Sequence, residues 1–334
     1  MNKRRKSYSA YSSSKPKRFF TNRLMSLFVV MIVGVLIFYY LISRYQLIQE
    51  AYQMVEMDLQ VVSQLHEGSD TGIEQQEQAI ANKESLTFLI VGVDYGHVGR
   101  LDEQRADVLI ALSLNPATGE SIQVNLSRLL KLEDEALPLS ETYSEGGLES
   151  VHQAVNKLLQ VPINFTVLID LSESRELIEA LGDNEVEIQE DFVLESQTLN
   201  SGDSISLNGR ESILFMHRNE TDSDWTNGQR QTQIVTSMGQ NLFRHLSEWL
   251  GMFQSASYFT AAEGIVETDL NFKSFLDLLG GNYITALEEV TVIDLTGTLQ
   301  EVELEEDGET LTYERVNHSQ LERVRQKLQE VLSQ

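Results

Sequence analysis

The sequence predicts an α/β or α+β sandwich folded as one domain and preceded by a single transmembrane helix. Three observations predict it. Residues 25–42 (MSLFVVMIVGVLIFYYLI) carry no charge. Eight basic and no acidic side chains precede that run, whereas the remaining 17 basic residues against all 51 acidic ones leave residues 25–334 at a formal −34. From residue 86 onward, β-rich apolar segments alternate with amphipathic helical ones, with no internal repeat.

At roughly 1.5 Å per residue the uncharged run spans about 27 Å, enough for a hydrocarbon core. Tyr39 and Tyr40 sit near one end, as an interfacial belt prefers. No small-x-small cleavage site follows, so the run reads as an uncleaved anchor. The basic flank places the N-terminus in the cytoplasm and the body outside the cell. The expected organisation is a cytoplasmic tail at 1–24, a transmembrane helix at 25–43, a helical stalk and linker at 44–84, and an extracytoplasmic domain at 85–334. A body this acidic repels phosphate backbones, which excludes nucleic-acid binding. The absence of cysteine removes thiol catalysis and thiolate metal sites.

After the span, Tyr45, Ile48, Tyr52, Val55, Leu59 and Val62 repeat with 3-4 spacing. That stripe suits a dimerising stalk or a helix packed on its own domain. Residues 66–84 are polar and read as a linker. LTFLIVGVD is a strand ending at Asp94, and ADVLIALSLN and ESIQVNLSR form a hairpin around Pro116 and Gly119. Residues 147–160 place Val151, Val155, Leu158 and Leu159 on one helical face. FTVLIDL is a strand and SRELIEALG a helix closed by Gly182. DSISLNG leads into a helix at RESILFMHRN, and GQRQTQIVTSMGQNLFRHLSEWLG is a long amphipathic helix. EEVTVIDLTG is a strand, a hairpin turns at Glu306–Glu309, and Ser319 with Glu322 opens a last helix as a capping box. The six histidines show no ligand spacing, and His152 and His245 read as helix-surface positions.

Read in order, Gly92-Val93-Asp94, Arg105-Ala106-Asp107, Asn115-Pro116, Arg128, Tyr143-Ser144-Glu145-Gly146-Gly147, Leu207-Asn208-Gly209 and Gln229-Arg230-Gln231 resemble the LytR-CpsA-Psr (LCP) family along nearly the whole chain. The resemblance implies one domain with a central mixed sheet flanked by helices. It implies transfer of a glycopolymer from an undecaprenyl-pyrophosphate carrier to peptidoglycan with Mg²⁺. Asp94 and Asp107 match the family's metal-binding carboxylates; Arg105, Arg128 and Arg230 match phosphate-binding arginines, and Gln231 completes the Arg-Gln pair. Guanidinium groups suit phosphate oxygens, and two carboxylates suit a magnesium ion that keeps waters.

The departures are as informative. The family's R-x-R positions read His217 and Asn219, with Arg218 between them and about 100° out of phase on a helix. Asn227 stands where a further arginine is usual, and Ser127 and Leu129 replace the residues flanking Arg128's equivalent. His217, Arg218 and Asn227 are therefore the substitutes expected at the substrate, and Arg100 is a possible replacement charge. Three lost phosphate contacts at roughly 1.5–3 kcal/mol each amount to a rate loss on the order of a thousandfold or more. Two readings stay open: a transferase, or a catalytically impaired paralogue that binds polyprenyl-pyrophosphate lipids as a regulatory or scaffolding module.

Overall fold

The computed structural model describes residues 18–66, 71–95, 104–132, 135–217, 224–248, 251–303 and 310–333. The Glu306–Glu309 turn, Arg100, Arg218 and Asn219 lie outside them. The chain forms two units, residues 1–47 and 48–334.

Helix α1 (Arg18–Tyr52) carries the first unit. Among the described residues it is the one helix long and apolar enough to cross a membrane, over Val30–Tyr52. From Val30 to Ile42 its large apolar side chains are 40–73% exposed.

The second unit begins with the last turn of α1. There follow α2 (Leu59–Leu65), α3 (Thr71–Ala81), β1 (Leu86–Asp94), β2 (Arg105–Leu114), β3 (Ser121–Leu126), β4 (Leu130–Lys131), α4 (Thr142–Leu159) and β5 (Phe165–Asp170). Next come α5 (Arg175–Leu181), β6 (Asn184–Glu187), β7 (Phe192–Leu194), β8 (Gln197–Leu199), β9 (Ser204–Leu207), α6 (Gly209–Met216), α7 (Asp224–Ser247) and α8 (Gly251–Ala261). The chain closes with β10 (Val266–Thr268), α9 (Phe272–Gly280), α10 (Tyr283–Ala286), β11 (Val290–Leu295), β12 (Gly297–Glu303), β13 (Thr310–Val316) and α11 (His318–Leu332).

The central sheet has the order β10-β5-β1-β2-β3-β11 and is mixed: β1/β5 and β3/β11 are parallel, the other pairs antiparallel. Both faces are covered. Leu86 on β1, with Val108 and Ile110 on β2, joins a core built with α5–α9; Leu89, Val91 and Leu109 join a second core with α4 and α11. Burial on both faces explains why LTFLIVGV is a continuous apolar run. The mixed sheet between helices agrees with the expected fold class.

The structure refines the reading of the segments around the sheet. The polar stretch read as a linker contains α3, whose Gln76, Ala79 and Ile80 are buried. Of the two readings of the 3-4 stripe, the helix packed on its own domain holds: Ile48, Tyr52, Val55 and Val62 are at most 5% exposed, and only Leu59 of the second unit's stripe stands out at 74%. The compact domain therefore starts at residue 48, ahead of the expected residue 85. The last helix is capped by Asn317, whose side chain accepts from the Ser319 and Gln320 amides, instead of by Ser319.

His152 is buried, not a helix-surface residue. Desolvation, with His66 beside it, lowers its pKa to about 4. Its ring stands 5.8 Å from His66, and His66 Nε2 lies 2.8 Å from the buried Asp269 carboxylate. This contact joins the end of α2 to the segment after β10. His245 is half-buried and stacks on Tyr258 at 5.0 Å.

Candidate functional site

A bulge builds the site. Gly92 pairs with Val108 while Val93 pairs with Ala106, so Asp107 is an extra residue in β2, and Asp94 faces Arg105. Bulges of this kind re-aim a side chain and end regular pairing. A Cβ on Gly92 would lie 2.9 Å from both Val108 Cβ and Leu171 Cδ2, so only glycine fits where the strands close up.

Arg128, two residues beyond β3, donates from Nη1 to Asp107 Oδ1, and both side chains are nearly buried. The backbone holds this pair in place: Ser140 N donates to Arg128 O at 2.9 Å, and Ala106 N to Ser140 O at 3.1 Å. Arg105, half-exposed, lies 3.3 Å from Glu141 Oε1. Desolvation raises the Asp107 pKa; Asp94 pushes the same way, while Arg128 and Arg105 oppose it. Tyr95 and Tyr143 flank the cluster, their hydroxyls 2.7 Å apart. The structure thus brings Asp94, Arg105, Asp107 and Arg128 together, and adds Glu141 and Tyr95, which the sequence reading did not single out; Tyr143, of the quoted Tyr-Ser-Glu-Gly-Gly motif, is the partner of Tyr95.

The remaining candidates form a second group. Asn208 caps α6 with Glu211 in a capping box, and a Cβ on Gly209 would meet Arg175 O and Glu179 Cγ at 2.7 Å, so the Leu-Asn-Gly motif seats α6 tightly on α5. At the other end of α6, Asn227 Nδ2 donates to Met216 O at 2.7 Å. Arg230 donates from Nε to Phe215 O at 2.7 Å and from Nη2 to His217 O at 3.2 Å. Its guanidinium lies 4.5 Å from the Phe192 ring centroid. Asn227 and Arg230 therefore satisfy the last carbonyls of α6, which a helix end leaves without partners. His217 is exposed, with Nδ1 2.7 Å from Ile213 O. Gln231 shares the buried stripe of Ile234, Val235 and Met238, and its Oε1 has no hydrogen-bond partner among the described residues. Asn227, Arg230 and Gln231 are buried side chains in this arrangement.

Arg230→Met is expected to lower the thermal midpoint, at a cost of about 3–6 kcal/mol for the two charge-assisted bonds alone. Arg230→Lys should not restore it, because an ammonium lacks the fork that reaches both carbonyls. Unchanged melting in both variants would remove the joining role.

Among the described residues no group of three or more His, Asp or Glu side chains could hold a metal ion. Two adjacent carboxylates remain, Asp94 and Asp107, and their mutual repulsion is part of what raises the Asp107 pKa. That donor set fits magnesium, which binds through one or two carboxylates and completes its shell with waters and phosphate oxygens.

Helices on both faces of a mixed sheet, with carboxylates and guanidiniums paired at a bulged strand end, define an α/β domain with a charged strand-end site. The chain belongs to the LytR_cpsA_psr family, whose model matches residues 46–330. It is 27% identical over 261 residues to the polyisoprenyl-teichoic acid–peptidoglycan teichoic acid transferase TagU of Enterococcus faecalis, covering 75% of this chain and 81% of that one. It is 25% identical over 255 residues to TagU of Bacillus subtilis, covering 74% and 80%. Protein gbs0355 of Streptococcus agalactiae shares the fold at a TM-score of 0.61 and 19% identity, over 77% of this chain and 91% of that one. So does a structure of TagT bound to LIIa-WTA, at 0.58 and 20% identity, over 75% and 92%.

Proposed function

We propose that this protein transfers a glycopolymer from a polyprenyl-pyrophosphate carrier to peptidoglycan, anchored by residues 25–42 with its domain on the outer face of the cell membrane. The observation that carries this reading is the buried Asp107–Arg128 pair beside Asp94 and Arg105 at the strand bulge. The relatives named as teichoic acid transferases support the substrate class, and the basic flank before an uncharged run supports the orientation.

In this reading an acceptor sugar hydroxyl attacks the phosphorus attached to the carried polymer. The bridging P–O bond breaks, its electron pair leaves on the polyprenyl monophosphate, and the hydroxyl proton leaves to solvent. Asp94 and Asp107 would hold Mg²⁺, which supplies positive charge to the departing phosphate. Arg128, fixed by Asp107, would offer its guanidinium to the same oxygens, and the half-exposed Arg105 would add a cation at the rim. Catalysis of this kind is charge neutralisation and positioning.

A second reading, a lipid-pyrophosphate binder without transfer, is favoured by one observation: Arg230 is committed to α6 carbonyls while His217 and Asn227 stand where arginines are usual. Reconstituting the full chain in vesicles with a lipid-linked glycopolymer, soluble peptidoglycan and Mg²⁺ separates the two. Transfer predicts a covalent conjugate; lipid binding without conjugate favours the second reading, and absence of both rejects each. His217→Arg is the informative variant for the second reading, since Asn227 is buried and an arginine there would displace the α6 cap.

A further inference from the structure

Arg128 sits in a tight turn: Leu130 N donates to Ser127 O at 3.0 Å, which leaves Arg128 and Leu129 as the two central residues. Where the Arg128 side chain points therefore depends on what holds the turn. Asp107 holds its guanidinium and Ser140 N its carbonyl. The small sheet β12-β13-β4 holds the rest. Glu314 on β13 pairs with Leu130 on β4, and the Glu314 amide donates to Leu129 O at 2.7 Å. Ser127 N donates to Leu295 O at 3.0 Å, where β11 ends.

The side chain of Glu314 is the unexpected part. The residue is 6% exposed, yet among the described residues its carboxylate makes no ion pair and is met by hydrogen-bond donors instead. Gly297 N donates to Oε2 at 2.7 Å, and the Ser127 hydroxyl donates to the same carboxylate. Ser127 Oγ in turn accepts from Leu129 N at 3.3 Å, so its proton is what it has left for Glu314. Burial raises the Glu314 pKa, and both donors oppose the rise. The approach is this close because position 297 is glycine: a Cβ there would lie 2.9 Å from Glu314 Cβ and would collide with Arg315 O. A buried carboxylate without a cation is a costly way to fill a core position, and an apolar side chain of similar size would fill it at less cost. What the carboxylate adds is its grip on the turn. Ser127 and Leu129, the residues on either side of Arg128, both meet Glu314, one through its hydroxyl and the other through its carbonyl.

We propose that Glu314 is a positioning residue for the transfer reaction: through the Ser127 hydroxyl and the Leu129 carbonyl it fixes the turn from which Arg128 reaches the phosphate. The phosphate rests on the transferase reading; the fixing of Arg128 does not. Glu314 acts through Arg128 and needs no contact with the substrate.

The test uses the full chain in vesicles with a lipid-linked glycopolymer, soluble peptidoglycan and Mg²⁺. Glu314→Leu, which removes both side-chain bonds, should lower the transfer rate about ten- to a hundredfold, the scale on which misplacing a group by about 1 Å acts. Glu314→Gln should stay within about threefold of wild type, because its Oε1 still accepts from Gly297 N and its amide donates to Ser127 Oγ. In an Arg128→Met background, Glu314→Leu should cost less than about twofold more, since the group it positions is gone. A merely structural loss would appear in full in both backgrounds. Where thermal unfolding shows that Glu314→Leu does not fold, Ser127→Ala takes its place, cutting the hydroxyl alone; its rate should fall severalfold with Arg128 present and not without it. A wild-type rate in the variant that folds, an equal loss with and without Arg128, or a Glu314→Gln rate as low as that of Glu314→Leu overturns the proposal. Absence of conjugate from the wild type rejects the transferase reading alone. In that case, or where Arg128→Met is too slow to measure, ¹⁵N relaxation of the Arg128 Nε decides, its signal assigned by its loss in Arg128→Met. A more mobile guanidinium in Glu314→Leu or Ser127→Ala supports the clamp, and unchanged mobility in both overturns it.

Discussion

Asp107→Asn is expected to reduce magnesium-dependent transfer by about a thousandfold or more while the protein still folds, on the order of 4 kcal/mol of lost transition-state stabilisation. Two roles fail together. The amide removes one of the two carboxylates available to the metal, and it replaces the charged anchor of Arg128 with a neutral acceptor. The fold should tolerate the change because burial already disfavours a charge at this position. Steady-state transfer, magnesium calorimetry and thermal unfolding on the same variant separate these effects; transfer within tenfold of wild type would remove Asp107 from the chemistry.

The same residue carries a pH dependence. Its pKa is raised in the folded protein, first by desolvation and then by Asp94. Magnesium requires the ionised form, so affinity should fall on acidification with a midpoint above the ordinary aspartate value of about 3.9. Arg128→Met removes an influence that lowers the pKa, so the midpoint should move further up. Linkage to folding has the opposite sense from that of a salt-bridged surface aspartate. The folded state binds this proton more tightly than the unfolded chain, so the Asp107 contribution to stability falls as pH rises from the unfolded toward the folded value. Magnesium titrations across that range test both points, and a midpoint lowered in Arg128→Met would reverse the assigned electrostatics.

Tyr52→Ala is expected to lower the melting temperature of the domain by about 8–16 °C, from a loss of about 4 kcal/mol. Tyr52 is 2% exposed, with its ring centroid 4.8 Å from those of Phe259 and Phe275 and 5.4 Å from that of Phe272. Its hydroxyl donates to Leu270 O at 2.8 Å. A chain shortened to begin at residue 85 loses this anchor together with Ile48, Val55, Val62, Leu65 and Ile80, and should not melt cooperatively, whereas one beginning at residue 46 should. Equal melting of the two shortened chains would show that residues 48–81 are not part of the folding unit.

The sequence made the strands legible because burial on both faces leaves continuous apolar runs, and the helices legible because their buried stripes recur every three or four residues. It left open what the stripe from Ile48 to Val62 packs against. A 3-4 pattern suits a second helix or a local core equally, and the partners of Tyr52 lie more than 200 residues away. Helix α3 was hidden by its polarity, since it docks through few buried residues, among them Gln76, Ala79 and Ile80. Asp94 and Asp107 were readable as a pair only through the family resemblance, and no periodicity announces a bulge. The polar alternation on β3 was readable in principle: Gln123 and Asn125 break a run otherwise suited to burial on both faces.

The way α7 reaches back to finish α6 has a consequence for how such chains diverge. Asn227 and Arg230 hold the joint between two helices, and a joint must persist whether or not the enzyme still turns over. An arginine retained at position 230 is thus a poor witness to surviving chemistry, because removing it would loosen the frame before it touched any reaction. The residues whose loss would betray a retired catalyst are those with no carpentry to do, and in this chain the half-exposed Arg105 at the rim comes nearest to that description.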